Sequence, residues 1–309
     1  MSLVVTVPST SLAESLAPLP EGVELLVWDM HSPAPRERLD IVVPPYMDTP
    51  AVLPSLSGVD VGLVQGQSIG YDDVIGALPP DIRFANAAGV HETSTAELAL
   101  ALMLAAQRQL PRFLSAQERG EWAPVVAESL ADRRVLLLGF GGVGQAIAVR
   151  LQAFEVELTV VARTARAESH PVLGEVQVHG LDELPALLPD AEIVVLTLPG
   201  GEGTRHVIDE HALQSLRDGA LVVNVGRGTL IDTDALVRHA GRIRAALDVV
   251  DPEPLPAEHP LWHAPGILLV PHVGGASTAM DPRMTRLVRT QIERMLRGEP
   301  PVNIVLGGS

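Results

Sequence analysis

Two side chains that stand just after apolar runs have chemistry to offer. Arg227 follows LVVNV and a glycine. A guanidinium there is costly to bury unless its donors are met, and a ligand carboxylate would meet them in bidentate fashion. His272 stands between ILLVP and VGGAS. It is either a satisfied core histidine or a proton carrier. Glu253, in DVVDPEPLP, is the carboxylate available to hold it. A carboxylate beside an imidazole favours the imidazolium and raises its pKa. That keeps a proton at hand near neutral pH, as reduction of a carbonyl requires.

A third feature is the segment RRVLLLGFGGVGQAIAVRL, which spaces Gly139, Gly141 and Gly144 as Gly-x-Gly-x-x-Gly between an apolar run and a helical one. The first glycine permits a tight turn, the second lets backbone approach a pyrophosphate, and the third lets helix and strand close together. The alternative is a glycine turn used only for packing. An NAD site expects an acid about 20 residues further on. That position holds Ala162, followed by Arg163, Thr164 and Arg166, and no carboxylate occurs until Glu168. A guanidinium on an adenosine 2′-phosphate, with a Thr hydroxyl beside it, is the physical alternative. NADP(H) is therefore favoured over NAD(H), unless Arg163 and Arg166 are only solvated loop charges.

The elements that must position these residues show two textures. Up to about residue 95, short apolar runs are broken by Pro and Gly, at Leu3–Val7, Glu24–Trp28, Ile41–Val43, Val61–Val64 and Ile82–Ala85. PPYMDTP is a loop whose prolines forbid regular pairing. Thr93–Trp122 reads as one long helix, kinked or broken at Pro111. From Arg134 onward, near-continuous apolar strands alternate with helices, as in parallel sheets covered on both faces. The strands are expected at Val135–Leu138, Leu158–Val161, Ile193–Thr197, Leu221–Asn224, Ala245–Leu247 and Ile267–Val270. Pro282–Arg297 reads as an Arg-rich amphipathic helix, and PVNIVL as a short returning strand. The fold class expected is α/β, with two Rossmann-like doubly wound domains. A dinucleotide-binding domain at residues 99–284 is inserted into a discontinuous substrate domain, residues 1–98 and 285–309.

Composition narrows the function. The chain has 309 residues, 47% hydrophobic and 19% charged, enough for about two packed domains. All 22 basic residues are Arg, so Schiff-base lysines and Walker-type loops are excluded. Cys is absent, which removes thiolate nucleophiles and thiolate metal sites, and no metal site is expected. A net charge of −16 argues against nucleic acid or an anionic membrane as partner. The longest uncharged apolar run is too short to span a bilayer, MSLVVTVPST lacks a charged n-region, and a cytoplasmic setting is expected.

Four motifs, NVGRGTLIDTDAL, ALDVVDPEPLP, HPLWHAPGILLVPHVGGAS and GFGGVG, resemble in order and spacing those of the D-2-hydroxyacid dehydrogenases, NAD(P)-dependent and D-isomer-specific. TLPGGEGTRHVI and ANAAGVHETSTAELALALMLA extend the match to nearly all of residues 60–305, whereas the first 60 residues match weakly. The resemblance implies that Arg227 grips the substrate carboxylate and polarises its carbonyl. It implies that Glu253 pairs with His272, the proton donor in reduction and acceptor in oxidation. It assigns the amides of Gly142 and Val143 to the pyrophosphate. Leu198, Pro199, Val225, Gly226 and Asp248 match cofactor-lining positions, with Asp248 on the carboxamide side, and Gly274 and Gly275 follow the histidine as in the family.

In the first domain, QSIGYDD resembles the loop whose amides bind the carboxylate, which points to Ser68, Ile69 and Gly70. An ordinary glycine turn is the other reading. Tyr46 and Met47 are candidates to cap the pocket, His91 and Glu92 to lie near it, and Trp122 and Trp262 to face a partner or to be structural. Ala162–Arg163 departs from the family's acidic selector. The implied activity is hydride transfer from NADPH to C2 of a small 2-oxo acid such as glyoxylate or hydroxypyruvate, giving the D-2-hydroxy acid. The implied assembly is a homodimer through Ala96–Trp122. The alternatives are an NAD(P)-sensing corepressor-like protein and a same-fold formate or phosphite dehydrogenase.

Overall fold

Short β-branched and leucine runs bounded by turn formers open the chain as strands. The computed structural model describes residues 2–307. In order come β1 (Leu3–Val7), α1 (Thr10–Ser15), β2 (Val23–Val27), β3 (Arg38–Val42), α2 (Thr49–Val52), β4 (Asp60–Gln65) and β5 (Phe84–Ala85). Next are α3 (Glu92–Gln107) and α4 (Leu110–Glu118). They replace the single long helix expected to Trp122. The break falls at Gln109, whose φ is 55°, and Pro111 lies in the first turn of α4, where its missing N–H costs nothing. Helix α4 stops ahead of Gly120, which takes the left-handed conformation at φ 65°.

The chain continues through β6 (Arg134–Leu138), α5 (Gly142–Leu151), β7 (Glu157–Ala162), β8 (Arg166–His170), β9 (Gly174–Gly180), α6 (Leu184–Leu187), β10 (Ile193–Leu196), α7 (Glu210–Ser215), β11 (Leu221–Asn224), α8 (Thr233–His239), β12 (Arg244–Leu247) and β13 (Ile267–Leu269). It closes with α9 (Met280–Leu296) and β14 (Ile304–Leu306). The strands β8 and β9 were not expected. They form an antiparallel hairpin in which Arg166 faces Val178 and His170 faces Gly174.

The chain divides into two units, one made of residues up to His91 and from Gly275 onward, the other Glu92–Gly274. Their boundaries correct the expected 98/99 and 284/285 positions. All of α3 belongs to the second unit, because Ala96, Ala99, Leu102 and Met103 pack with Val135, Leu137, Ile147 and Val195. Residues from Gly275 belong to the first, where Met280 and Met284 join Val5, Val7 and Ile41. Residues 1, 308 and 309, which the expected substrate domain includes, lie outside the described residues.

The first unit holds a six-stranded sheet in the order β14-β5-β4-β3-β1-β2, parallel except for β14. Helix α9 buries Met284, Val288 and Ile292, a four-residue spacing that lays one stripe on this core. The second unit holds an eight-stranded sheet, β13-β12-β11-β10-β6-β7-β9-β8, parallel except for β8. Along β6, Leu136 and Leu138 enter one buried cluster and Val135 and Leu137 the other. Both faces are covered, which is why this strand reads apolar end to end. The strand order reverses between β6 and β10. Ligands of such sheets bind beyond the carboxyl ends of the strands at that reversal.

Candidate active site

At the reversal, β6 runs into the glycine turn. Gly139 has φ +112°, and a Cβ there would lie 2.4 Å from Thr197 Oγ1. That hydroxyl, just past β10, lies 3.1 Å from both Leu138 O and Gly139 O, donating to the turn. At Gly144 a Cβ would lie 2.0 Å from Gly139 O, so α5 packs directly on the turn. Gly141, the N-cap of α5, has nothing within 4 Å of where a Cβ would be. The turn is thus tight behind and open in front, with the first-turn amides of Gly142 and Val143 at a helix N-terminus. This cradle fits a dinucleotide pyrophosphate.

Beyond β7, Ala162 is buried while Arg163 and Thr164 are exposed. Arg166 is ion-paired with Glu168 at 2.6 Å. Arg163 has no hydrogen-bond or ion-pair partner among the described residues. Of the two guanidiniums expected here, only Arg163 is uncommitted.

Arg227 is held by the backbone around it. Asn224 ends β11 fully buried. Its Nδ2 donates to Arg227 O at 2.8 Å, and its Oδ1 accepts from the amide of Gly226 at 3.0 Å. The flanking glycines leave no room for a side chain. A Cβ at Gly226 would lie 2.8 Å from Leu198 O, and one at Gly228 would lie 1.8 Å from Val250 O. Arg227 itself is half-buried, with Nη1 donating to Gly226 O at 2.8 Å. Val225, two residues before it, and Leu198, just past β10, are buried, and Pro199 O accepts from Thr204 Oγ1 at 2.7 Å.

His272 takes the left-handed conformation at φ 50°, and its amide donates to Asp248 O at 2.7 Å. Its Nδ1 meets Glu253 Oε1 at 2.5 Å. With Nδ1–H given to the carboxylate, Nε2 is the nitrogen available for proton exchange. The Glu253 contact raises the His272 pKa above the ordinary histidine value, with burial opposing. Asp248, assigned to the nicotinamide side in the sequence reading, is buried beneath this turn. Its two carboxylate oxygens accept from the amides of Val273 at 2.7 Å and Gly274 at 2.9 Å. Burial pushes the Asp248 pKa up, and those two amides pull it down. A Cβ at Gly274 would lie 2.7 Å from Asp248 Oδ2, so the grip requires a glycine there.

In the first unit, the loop after β4 is fixed through its carbonyls. Ser68 O accepts from the Ala87 amide at 2.9 Å, and Ile69 O from Asn86 Nδ2 at 2.7 Å. The amides of Ser68, Ile69 and Gly70 have no protein acceptor among the described residues. Buried Gln67 donates to Pro44 O at 2.8 Å. His91 bridges Gln67 O at 2.6 Å and Gly275 O at 3.2 Å, and stacks on Tyr46 with ring centres 5.7 Å apart. Gly275, expected among the cofactor residues, belongs to this unit, beside His91 and Tyr46. Met47 is exposed with φ 66°. Trp262 donates to Pro256 O at 2.8 Å.

Asn224 and Asn86 are supports that sequence patterning alone does not single out. The available signal was a polar residue closing an apolar strand.

The family model for the NAD binding domain of D-isomer specific 2-hydroxyacid dehydrogenase matches residues 100–274. A glyoxylate reductase from Pyrococcus furiosus is 30% identical over 311 residues, covering 93% of this chain and 90% of its own. A D-isomer specific 2-hydroxyacid dehydrogenase from Xanthobacter autotrophicus Py2, solved in complex with NADPH and MES, superposes with a TM-score of 0.79 and 27% identity, covering 98% of each chain. An NADPH-dependent glyoxylate/hydroxypyruvate reductase from Sinorhizobium meliloti, solved with NADP and malonate, superposes with a TM-score of 0.78 and 26% identity, covering 99% of this chain and 97% of its own. No helix among the described residues is long and apolar enough to cross a membrane. Matched over more than half its length, the chain belongs to the D-isomer specific 2-hydroxyacid dehydrogenase family.

Proposed function

We propose that this oxidoreductase uses NADPH to reduce a small 2-oxo acid, of the glyoxylate or hydroxypyruvate kind, to the D-2-hydroxy acid. The observation that carries the reading is the 2.5 Å contact between His272 Nδ1 and Glu253 Oε1, in the same unit as the glycine cradle and Arg227. Bound, the reduced nicotinamide supplies the hydride. His272 holds a proton at Nε2 and gives it to the carbonyl oxygen of the substrate, while Glu253 orients the ring and favours its charged form. Arg227 offers a planar donor fork to the substrate carboxylate. The amides of Ser68, Ile69 and Gly70, fixed through their carbonyls, are suited to the same kind of group. Asp248 and Asn224 keep His272 and Arg227 in place through backbone hydrogen bonds.

The uncommitted Arg163 supports NADP(H) over NAD(H). The names of the glyoxylate and glyoxylate/hydroxypyruvate reductases support the substrate class. A homodimer is part of the reading. Leu110, Leu114 and Val126 are exposed, and Trp122 is 97% exposed, on and after α4, an apolar surface that a second copy would cover.

The test is parallel oxidation of NADPH and NADH with a panel of 2-oxo acids. Faster oxidation of NADPH with glyoxylate or hydroxypyruvate is expected. An NADH preference overturns the Arg163 assignment and keeps the enzyme class. Bound cofactor with no oxidation by any 2-oxo acid overturns the reaction.

A further inference from the structure

Glu168 is the first carboxylate after β7, and the fold returns it to the glycine turn. It sits on β8, in the hairpin that follows the carboxyl end of β7. Its Oε1 accepts from Gln145 Nε2 at 2.8 Å, and that nitrogen lies 3.3 Å from Phe140 O inside the turn. Its Oε2 accepts from Arg166 Nε at 2.8 Å. Both oxygens are engaged. A bare carboxylate near the end of this strand accepts ribose hydroxyls and repels a phosphate on the same ribose. Here Arg166 cancels the charge, and Arg163 is left without a partner among the described residues.

We propose that Glu168 is a masked selector of the cofactor's adenosine ribose. Clamped by Arg166 and Gln145, it leaves Arg163 to read the 2′ position, and its release shifts preference from a 2′-phosphate to a 2′-hydroxyl. The proposal rests on the NADP(H) reading above. Arg166 acts through Glu168 and is a positioning residue.

The experiment is calorimetric binding of adenosine 2′,5′-bisphosphate and of adenosine 5′-monophosphate to the unaltered chain, R166Q, E168Q and the R166Q/E168Q double variant. These ligands differ only in the 2′-phosphate and need no turnover. Removing one member of an exposed ion pair is worth about threefold in affinity. R166Q is expected to weaken the bisphosphate by about that factor and to strengthen the monophosphate by a similar one. Adding E168Q is expected to restore the bisphosphate affinity, and E168Q alone to leave it equal or stronger. The gain in monophosphate affinity separates an unmasked acceptor from mere loss of positive charge. A 2′-phosphate preference that R166Q leaves unchanged, or a double variant without recovery, overturns the proposal alone. No 2′-phosphate preference in the unaltered chain overturns it together with the NADP(H) reading.

Discussion

Asn224 brackets Arg227 from within the sheet: its amide nitrogen donates to Arg227 O at 2.8 Å while its oxygen accepts from the Gly226 amide at 3.0 Å. The side chain is fully buried. Asn224→Ala leaves the buried Gly226 amide without a partner and Arg227 O with only the Leu230 amide at 3.2 Å, a cost of about 1–3 kcal/mol. The loop carrying the guanidinium loosens. We expect KM for the 2-oxo acid to rise roughly tenfold, the equivalent of about 1.4 kcal/mol, with cofactor affinity little changed. Steady-state kinetics with each substrate varied in turn checks this. An unchanged KM for the oxo acid would separate Asn224 from substrate binding.

The pH dependence follows from the His272–Glu253 contact. The glutamate raises the histidine pKa in the folded chain. The protonated, reduction-competent form therefore persists to higher pH than in a free histidine, and reduction is lost as pH rises through the raised value. Oxidation runs the other way. The same shift makes the pair a stability contribution that is fully present below the unfolded histidine value and lost as pH rises through the folded one. Glu253→Gln should move the alkaline limb of the reductive kcat/KM profile to lower pH. A limb that stays in place would show that His272 is not the titrating group.

Two glycines of the same turn should fail differently. At Gly144 an added Cβ would lie 2.0 Å from Gly139 O, a backbone atom that can move only with the turn. Gly144→Ala should cost about 1–3 kcal/mol, as overpacking does, and melting should fall accordingly. At Gly141 the space is open, and the backbone is extended at φ −83° and ψ −168°. Gly141→Ala should melt like the parent and lose cofactor affinity, since the new methyl stands in the open mouth of the turn. Thermal melting with and without NADPH distinguishes the two. A stable Gly144→Ala would contradict the described packing.

The strands of the second unit were legible because both faces of its sheet are buried, so runs such as VLLL and LVVN are apolar throughout. Arg227 and His272 stand out in the sequence as polar residues just beyond such runs, and Glu253 as a carboxylate in the Pro-rich segment before the histidine. The β8–β9 hairpin was not, because RAESH and GEVQVHG carry polar side chains on the outer edge of the sheet, where little core marks them as strands. Nor was the membership of α3. Its alanines and leucines announce burial without saying which unit they are buried in. The supports under the site were the hardest to read. Asn224 and Asp248 act by hydrogen bonds to backbone of turns that exist only once the sheet has formed.

In the proposed reaction His272 carries the proton to the substrate carbonyl, held by Glu253 at Nδ1. The direct measurement is turnover of His272→Ala with NADPH and glyoxylate, beside NADPH binding by the same variant. A positioned acid or base contributes roughly a hundred- to ten-thousand-fold. We expect turnover to fall within that range while NADPH affinity stays close to the parent's. Turnover close to the parent's, with NADPH still bound, would show that His272 is not the proton donor.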